Sequence, residues 1–297
     1  MSNQIDTAFV QAYKNNIEVG FQQKGSRLRP YVRVETQNAE YDFYDRVTST
    51  AAVKVTSRHG DTPLISTPHD RRRCQLVDYD WADLIDRNDR LRMLADPTSA
   101  YTTNAIFALG RSMDDEIISA ASGTAYSGKT GSTSTTFDTT NNRIAANYVE
   151  SGGATASNLT IGKLRKARQI LDAAEAAEDG EALILALTSN QIQSLLRTTE
   201  ITSSDYNTVK ALVNGEVDTF MGFKFVRTER LTKSGNNRTC LAWARNGLLL
   251  GMAQDIMVDV GPRRDKRNST QVYVCASFGA TRMWESKVVE ILCDETV

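Results

Sequence analysis

The chain has 297 residues, 40% of them hydrophobic and 24% charged, and 35 Lys and Arg against 36 Asp and Glu leave a formal net charge of −1. That is enough chain for one large or two ordinary domains with real cores. The balanced charge excludes a dedicated duplex-DNA binder, which needs a basic excess to neutralise phosphates, so any DNA contact should be local and weak. The longest apolar runs, Ala182–Leu187 and Gly247–Ala253, fall far short of the roughly 18–20 residues that cross a bilayer. The start, Met1-Ser2-Asn3-Gln4-Ile5-Asp6, lacks the basic and apolar stretches of a signal peptide. Synthesis and folding in a cytosol, without a membrane partner, are the expectation.

In chain order, residues 1–35 read as an arm. Ile5, Ala8, Phe9 and Ala12 recur at helical spacing, but beyond Ile17 the segment turns polar and must lie against something larger. Residues 36–90 have strand character: Tyr41, Phe43, Val47, Val53 and Val55 sit in alternating runs, and Gly60-Asp61-Thr62-Pro63 is a turn signal. A second run, Leu76 to Trp81, is expected to pair back on the first. Such a hairpin is marginal alone and should rest on a neighbour.

Asp96 as N-cap and Pro97 in the first turn open the clearest helix, 97–122. Its apolar stripe is Ile106, Leu109, Met113, Ile117 and Ala120, and about 26 residues would span roughly 40 Å. Residues 123–157 are rich in Gly, Ser, Thr and Asn and predict an exposed, flexible loop.

From 158 to 230 helix and strand alternate. A helix over Leu159–Ala177 carries Leu164, Ala167, Ile170, Leu171 and Ala174 on one side. Ala182–Leu187, apolar on both faces, should be a central strand. Thr188-Ser189-Asn190-Gln191 is a capping-box start to the helix carrying Ile192, Leu195 and Leu196. Asn214-Gly215 marks a turn and Gly222–Arg227 alternates like a strand. Strands are expected at Leu241–Trp243, Asp255–Val260, Val272–Ser277 and Lys287–Leu292. Cys74, Cys240, Cys275 and Cys293 form no C-x-x-C pair and read as reduced, mostly buried thiols rather than a disulfide framework or zinc site.

Gly123-Thr124-Ala125-Tyr126-Ser127-Gly128-Lys129-Thr130 satisfies the letters of a phosphate-cradling loop. That chemistry needs a strand before the loop and a helix after it, so that the helix N-terminus faces the phosphate. Here a helix precedes and a Ser/Thr-rich stretch follows, so coincidence is the better reading. His59 and His69 lack the partners that metal binding or acid–base work requires, and read as surface or interface polar residues. Asp114-Asp115 reads as a solvated or salt-bridged helix face. No catalytic, cofactor-binding or metal-binding residue is assigned. Two basic clusters, Arg71-Arg72-Arg73 and Arg263, Arg264, Lys266 and Arg267, are candidates for DNA phosphate contact or for setting register between subunits. Ion pairing of the first cluster with Asp70, Asp78 and Asp80 is the bland alternative, and the neutral overall charge favours the interface role.

The order of parts resembles the major capsid proteins of tailed bacteriophages, the Hong Kong 97-type fold. The local matches are Leu187-Thr188-Ser189-Asn190-Gln191-Ile192-Gln193-Ser194-Leu195-Leu196, then Asn214-Gly215-Glu216-Val217, then Phe220-Met221-Gly222-Phe223-Lys224-Phe225-Val226, and finally Trp243 to Gly251. The resemblance implies an α+β fold in five stretches. They are an N-terminal arm (1–35), an E-loop hairpin and the start of a peripheral domain (36–90), a spine helix with its flexible loop (91–149), an α/β axial domain (150–240), and returning peripheral strands (241–297).

It also implies a protein without enzymatic activity that self-assembles as pentamers and hexamers into an icosahedral shell around double-stranded DNA, formed in the bacterial host cytoplasm and kept in the virion. Its other implied partners are a separate scaffolding protein, a portal protein and, if the 123–157 loop projects outward, a decoration protein. No maturation cleavage is expected. Lys54 lies in the presumed E-loop, but no crosslinking partner or catalytic Glu can be matched to it. Two competing readings remain: a cargo-enclosing encapsulin with the same fold, and a nucleotide hydrolase using Lys129 and Thr130.

Overall fold

A computed structural model describes residues 22–58, 60–86, 98–150, 152, 154–177, 180–197 and 219–296. The expected helix around Ile5–Ala12, the Asp96-Pro97 helix start, the Asn214-Gly215 turn and His59 lie outside the described residues. The chain divides into two compact units that interleave in sequence. One comprises Met1–Ser26, Asp78–Arg111 and Gln254–Ser277; the other comprises Arg27–Val77, Ser112–Ala253 and Phe278–Val297.

In the larger unit, the strands β1 (Arg33–Thr36) and β2 (Tyr41–Val47) come first, followed by β3 (His69–Gln75). β2 and β3 pair antiparallel, from Tyr41↔Gln75 to Val47↔His69. Between them, residues 48–68 form no regular element and stay exposed wherever described. The alternation of Val53 and Val55 therefore does not produce a paired strand within the subunit. Nor does the run from Leu76 to Trp81 fold back on β2. It belongs to β4 (Val77–Ile85), which joins a different sheet of order β1-β13-β14-β4.

The long helix α1 (Thr98–Ser122) ends where Gly123 predicts. Leu109, Met113 and Ile117 are buried as expected, while Ile106 and Ala120 are only half-buried and Ala105, Ile118 and Ala121 take buried places instead. Asp114 is buried rather than solvated. Its carboxylate accepts the backbone N–H of Arg27 at 3.0 Å and of Leu28 at 3.1 Å, which replaces the water it has lost. Asp115 does pair at the surface, with Arg230.

The 123–157 stretch is not the flexible loop its composition predicts. β5 (Ala125–Ser127) and β6 (Thr133–Thr135) form a hairpin that extends the β2-β3 sheet, with Arg72↔Ser127 and Arg73↔Tyr126 in register. β-branched Thr suits a pleated strand, and β3 offers an edge to pair with. β7 (Arg143–Ile144) then joins a seven-stranded sheet.

That sheet holds most of the larger unit's core. Its strands run β7-β15-β12-β8-β10-β9, with β8 (Leu183–Leu187), β9 (Thr219–Phe220), β10 (Phe223–Arg227), β12 (Asn237–Ala244) and β15 (Val288–Asp294), and β11 (Lys233–Ser234) pairs with β12. β8 is buried at every position and lies between β10 and β12, as a strand apolar on both faces requires. The helix α2 (Ile161–Ala173) is capped by Thr160, whose hydroxyl oxygen accepts the Lys163 N–H at 3.3 Å, and buries Leu164, Ala167 and Leu171. Lys163 itself is buried, donating to the carbonyls of Ala146, Ser157 and Leu292 at 2.6–3.0 Å. The helix α3 (Ser189–Leu196) has the predicted capping box, with Gln191 Oε1 accepting the Thr188 N–H at 3.2 Å.

The two longest strands are β13 (Leu248–Arg263) and β14 (Ser269–Arg282). β1 runs parallel to the start of β13, Arg33↔Leu249 to Thr36↔Met252. Gly279 lies so close to the preceding chain that a Cβ there would stand 1.8 Å from the Gln75 carbonyl oxygen. Glycine alone permits that approach. Cys74, Cys240 and Cys293 are buried and Cys275 half-buried, all unbridged.

Candidate functional site

The first basic cluster lies on β3, where successive side chains point to opposite faces of the sheet. Its three arginines therefore have three different fates. Arg72 is fully buried and pairs with Glu285. Arg46, on the neighbouring strand, binds Asp70 at 2.6 Å, reaches Glu285 at 3.2 Å and donates to the Met283 carbonyl at 2.6 Å, with its guanidinium 5.3 Å from the Trp284 ring centre. Arg282, also fully buried, donates to the carbonyls of Ala121, Gly123 and Thr135. The assembly of Arg46, Arg72, Arg282, Asp70 and Glu285 ties the β2-β3 hairpin to the chain around Glu285.

Burial pulls both Arg72 and Arg282 below the ordinary guanidinium value, and Glu285 opposes that shift by stabilising the charge. Burial alone would raise Asp70, but hydrogen bonds from Arg46, the Arg71 N–H and the Gly128 N–H outweigh it and hold the carboxyl low. Arg72 is thus no candidate for facing DNA or a neighbour, because its guanidinium is spent inside the subunit. Arg73 lies between the rings of Tyr41 and Tyr126, at 5.0 and 4.5 Å, in cation–π contact. Arg71 is exposed and pairs across the hairpin with Asp45 at 2.7 Å. Sequence proximity suggested Asp70, Asp78 and Asp80 as partners. Asp70 instead pairs with Arg46, while Asp78 and Asp80 accept hydrogen bonds from Ser277 and Tyr273.

Arg263, Arg264, Lys266 and Arg267 occupy the turn joining β13 to β14, where Arg267 and Asn268 both adopt positive φ. All four are exposed, and Arg263 pairs with Asp265 at 3.0 Å. Lys54 stands exposed in the 48–68 excursion, whose apolar side chains are open to solvent: Val55 is 78% and Leu64 99% exposed. No sequence signal singled out Arg46, Arg282 or Glu285: the partners of Arg282 and the arginines that meet Glu285 lie over 140 positions away, and Asp70, the nearer partner of Arg46, meets it only across the β2-β3 pairing.

The phosphate-loop letters from Gly123 to Thr130 begin just past the end of α1 and fall on β5 and on a hairpin turn. Gly128 and Gly131 take positive φ there, and the next helix starts only at Ile161. The strand-loop-helix geometry that would aim backbone N–H groups and a helix N-terminus at a phosphate is absent. His69 is exposed at the start of β3. Among the described residues, no group of three His, Cys, Asp or Glu side chains is placed to hold a metal ion.

The fold itself has close counterparts. The capsid of Ralstonia phage GP4 superposes with a TM-score of 0.73 at 10% identity, covering 96% of this chain and 95% of that one. The capsid of Helicobacter pylori bacteriophage KHP30 gives 0.72 at 9% identity, over 99% and 98%. That of the cyanophage P-SCSP1u gives 0.71 at 15% identity, over 98% and 96%. No curated protein sequence matches the chain. The fold is therefore the mixed helix-and-sheet, Hong Kong 97-type fold of phage shell proteins. A phage capsid protein family model matches residues 5–295, and the chain belongs to that family.

Proposed function

We propose that this capsid protein assembles as pentamers and hexamers into an icosahedral shell around double-stranded phage DNA. The observation that carries this reading is the exposed excursion between β2 and β3, which leaves Val53, Val55, Leu64 and Ile65 in water. Ordered segments of that kind gain stability only by burial on neighbours, as in large obligate interfaces. In this reading residues 36–90 supply the E-loop, α1 is the spine helix, the seven-stranded sheet belongs to the axial domain, and residues 1–35 are the arm. Lys54, Arg71, Arg263, Arg264, Lys266 and Arg267 set register between subunits, with weak, local phosphate contacts where a cluster faces the packaged DNA. A separate scaffolding protein directs closure, a portal protein occupies one vertex, and assembly takes place in the host cytoplasm. The β5-β6 hairpin, where it faces outward, offers a seat for a decoration protein.

Negative-stain electron microscopy of the expressed chain tests this. Closed shells, or capsomers with sheets and tubes when scaffold is missing, are expected. A monomer or dimer at high concentration would overturn it. The content of particles purified from infected cells then decides what is enclosed: nuclease-protected double-stranded DNA supports a phage capsid, and protein cargo an encapsulin.

A further inference from the structure

Beneath the β5-β6 hairpin the larger unit buries more guanidinium than carboxylate. Asp70 and Glu285 serve Arg46 and Arg72, and Glu290, on β15, goes to Arg143 at 2.6 Å. Arg282 is left with backbone carbonyls alone, those of Ala121 at 2.9 Å, Gly123 at 2.8 Å and Thr135 at 3.2 Å. Glu285 and Glu290 act on it through space, without a hydrogen bond. Four cations against three anions leave one positive charge over, on a side chain that is fully buried. A buried charge without a counter-charge is expensive.

Donors are left over as well. Arg72 gives Nη2 to Glu285, while its buried Nε and Nη1 meet no acceptor, and Nε of Arg282 meets none either. A guanidinium has five N–H donors and no acceptor, so neither side chain can satisfy the other. The two are neighbours. Arg72 stands across from Ser127 in the β3-β5 register, and the Gly123 and Thr135 carbonyls that hold Arg282 lie at the open end of the same hairpin. Arg282 feels Arg72 as a repelling charge. Ser127 is buried too, and its hydroxyl has only long contacts, 3.4 Å to Thr135 Oγ1 and 3.5 Å to the Thr133 carbonyl. Its proton is therefore available to a better acceptor.

We propose that Arg72 and Arg282, with the Ser127 hydroxyl, hold one small monovalent anion of halide size. Such an ion accepts from several donors at once and supplies the missing negative charge. A water molecule would satisfy the donors but leave the charge uncompensated. Phosphate or sulfate brings about two charges against an excess of one, and is bulky for a close-packed interior. The bound ion ties β3 and β5 to the end of β14, so the stability of the subunit depends on it.

The test is the thermal midpoint of the full chain, held in one assembly state, in sodium chloride against sodium gluconate at equal ionic strength. The parent midpoint should rise with chloride and saturate, gaining about 4 °C or more once the ion is in large excess, and bromide should substitute for chloride. R282M, which removes the unpaired cation, should lose that rise. No chloride-specific rise in the parent, or the same rise in R282M, would overturn the proposal. If R282M does not fold, crystals of the parent grown in bromide decide. An anomalous peak within hydrogen-bonding reach of Arg72 and of Arg282 Nε supports the site, and crystals without that peak overturn it.

Discussion

Arg72 and Glu285 stand 213 positions apart in the chain and meet side chain to side chain, the guanidinium fully buried and the carboxylate partly open to solvent. The pair joins the β2-β3 hairpin to the segment between β14 and β15. Removing only the acid leaves a buried cation without its counter-charge, which costs far more than losing a surface pair. Glu285→Ala should therefore destabilise the subunit by about 3–5 kcal/mol, seen as a lower urea midpoint. Adding Arg72→Met to that variant should recover part of the loss. Equal midpoints for Glu285→Ala and the parent would refute the role given to the pair.

Gly279→Ala should be more damaging than its size suggests. The added carbon would meet a backbone oxygen at 1.8 Å, and neither strand can withdraw without breaking its pairing. A loss above about 3 kcal/mol, or insoluble expression, is expected. The measurement is the soluble yield and thermal midpoint beside a control at a glycine with ordinary φ and open space around an added Cβ, Gly261→Ala.

Glu295 sets an acid limit. Burial alone would raise its carboxyl, but hydrogen bonds from Arg238, Lys233 and Gln191 outweigh that effect and bring it down to about 2. A carboxyl with a folded-state value below the unfolded one adds stability above the unfolded value and loses it as pH falls through the folded value. The Glu295 contribution is thus whole above about pH 4.5 and disappears towards pH 2. Denaturant titrations at several pH values should show a shallower acid decline in Glu295→Gln, which is the weaker protein at pH 7.

The thiols should differ sharply in reactivity. Burial pushes the Cys74 thiol up to about 12, and Cys240 and Cys293 are equally enclosed. A maleimide must reach the sulfur, so these three enclosed thiols should resist it in the native subunit while half-buried Cys275 reacts first. Mass spectrometry of briefly labelled protein checks the order.

Lys129→Ala should leave the thermal midpoint unchanged within about 0.5 kcal/mol of stability, because Lys129 is exposed on a hairpin turn. Calorimetry with ATP should show no binding in parent or variant. Saturable binding lost in the variant would reopen the hydrolase reading.

The elements most legible in the sequence were those whose signals are local. The end of α1 at Gly123, the Thr188/Gln191 capping box and the wholly apolar β8 all follow from neighbours a few positions apart. The misread elements depended on distant partners. The Ser/Thr-rich stretch after α1 looked flexible by composition, yet becomes a hairpin because β3 offers it an edge. The run from Leu76 to Trp81 looked like the return of a hairpin, yet β14 claims it.

The basic cluster on β3 shows the same division at the level of single residues. Adjacent arginines look equivalent as letters, but strand alternation sends Arg72 inward and Arg71 outward, and only the folded chain supplies Glu285 for the first and Asp45 for the second. The sequence by itself determined the charge balance, the positions of the main helices and central strand, and the resemblance to a shell protein, because periodicity and capping act over a few residues. Tertiary structure alone decided which charges are buried and which edges are paired. Those outcomes depend on contacts between segments far apart in the chain, which no local pattern encodes.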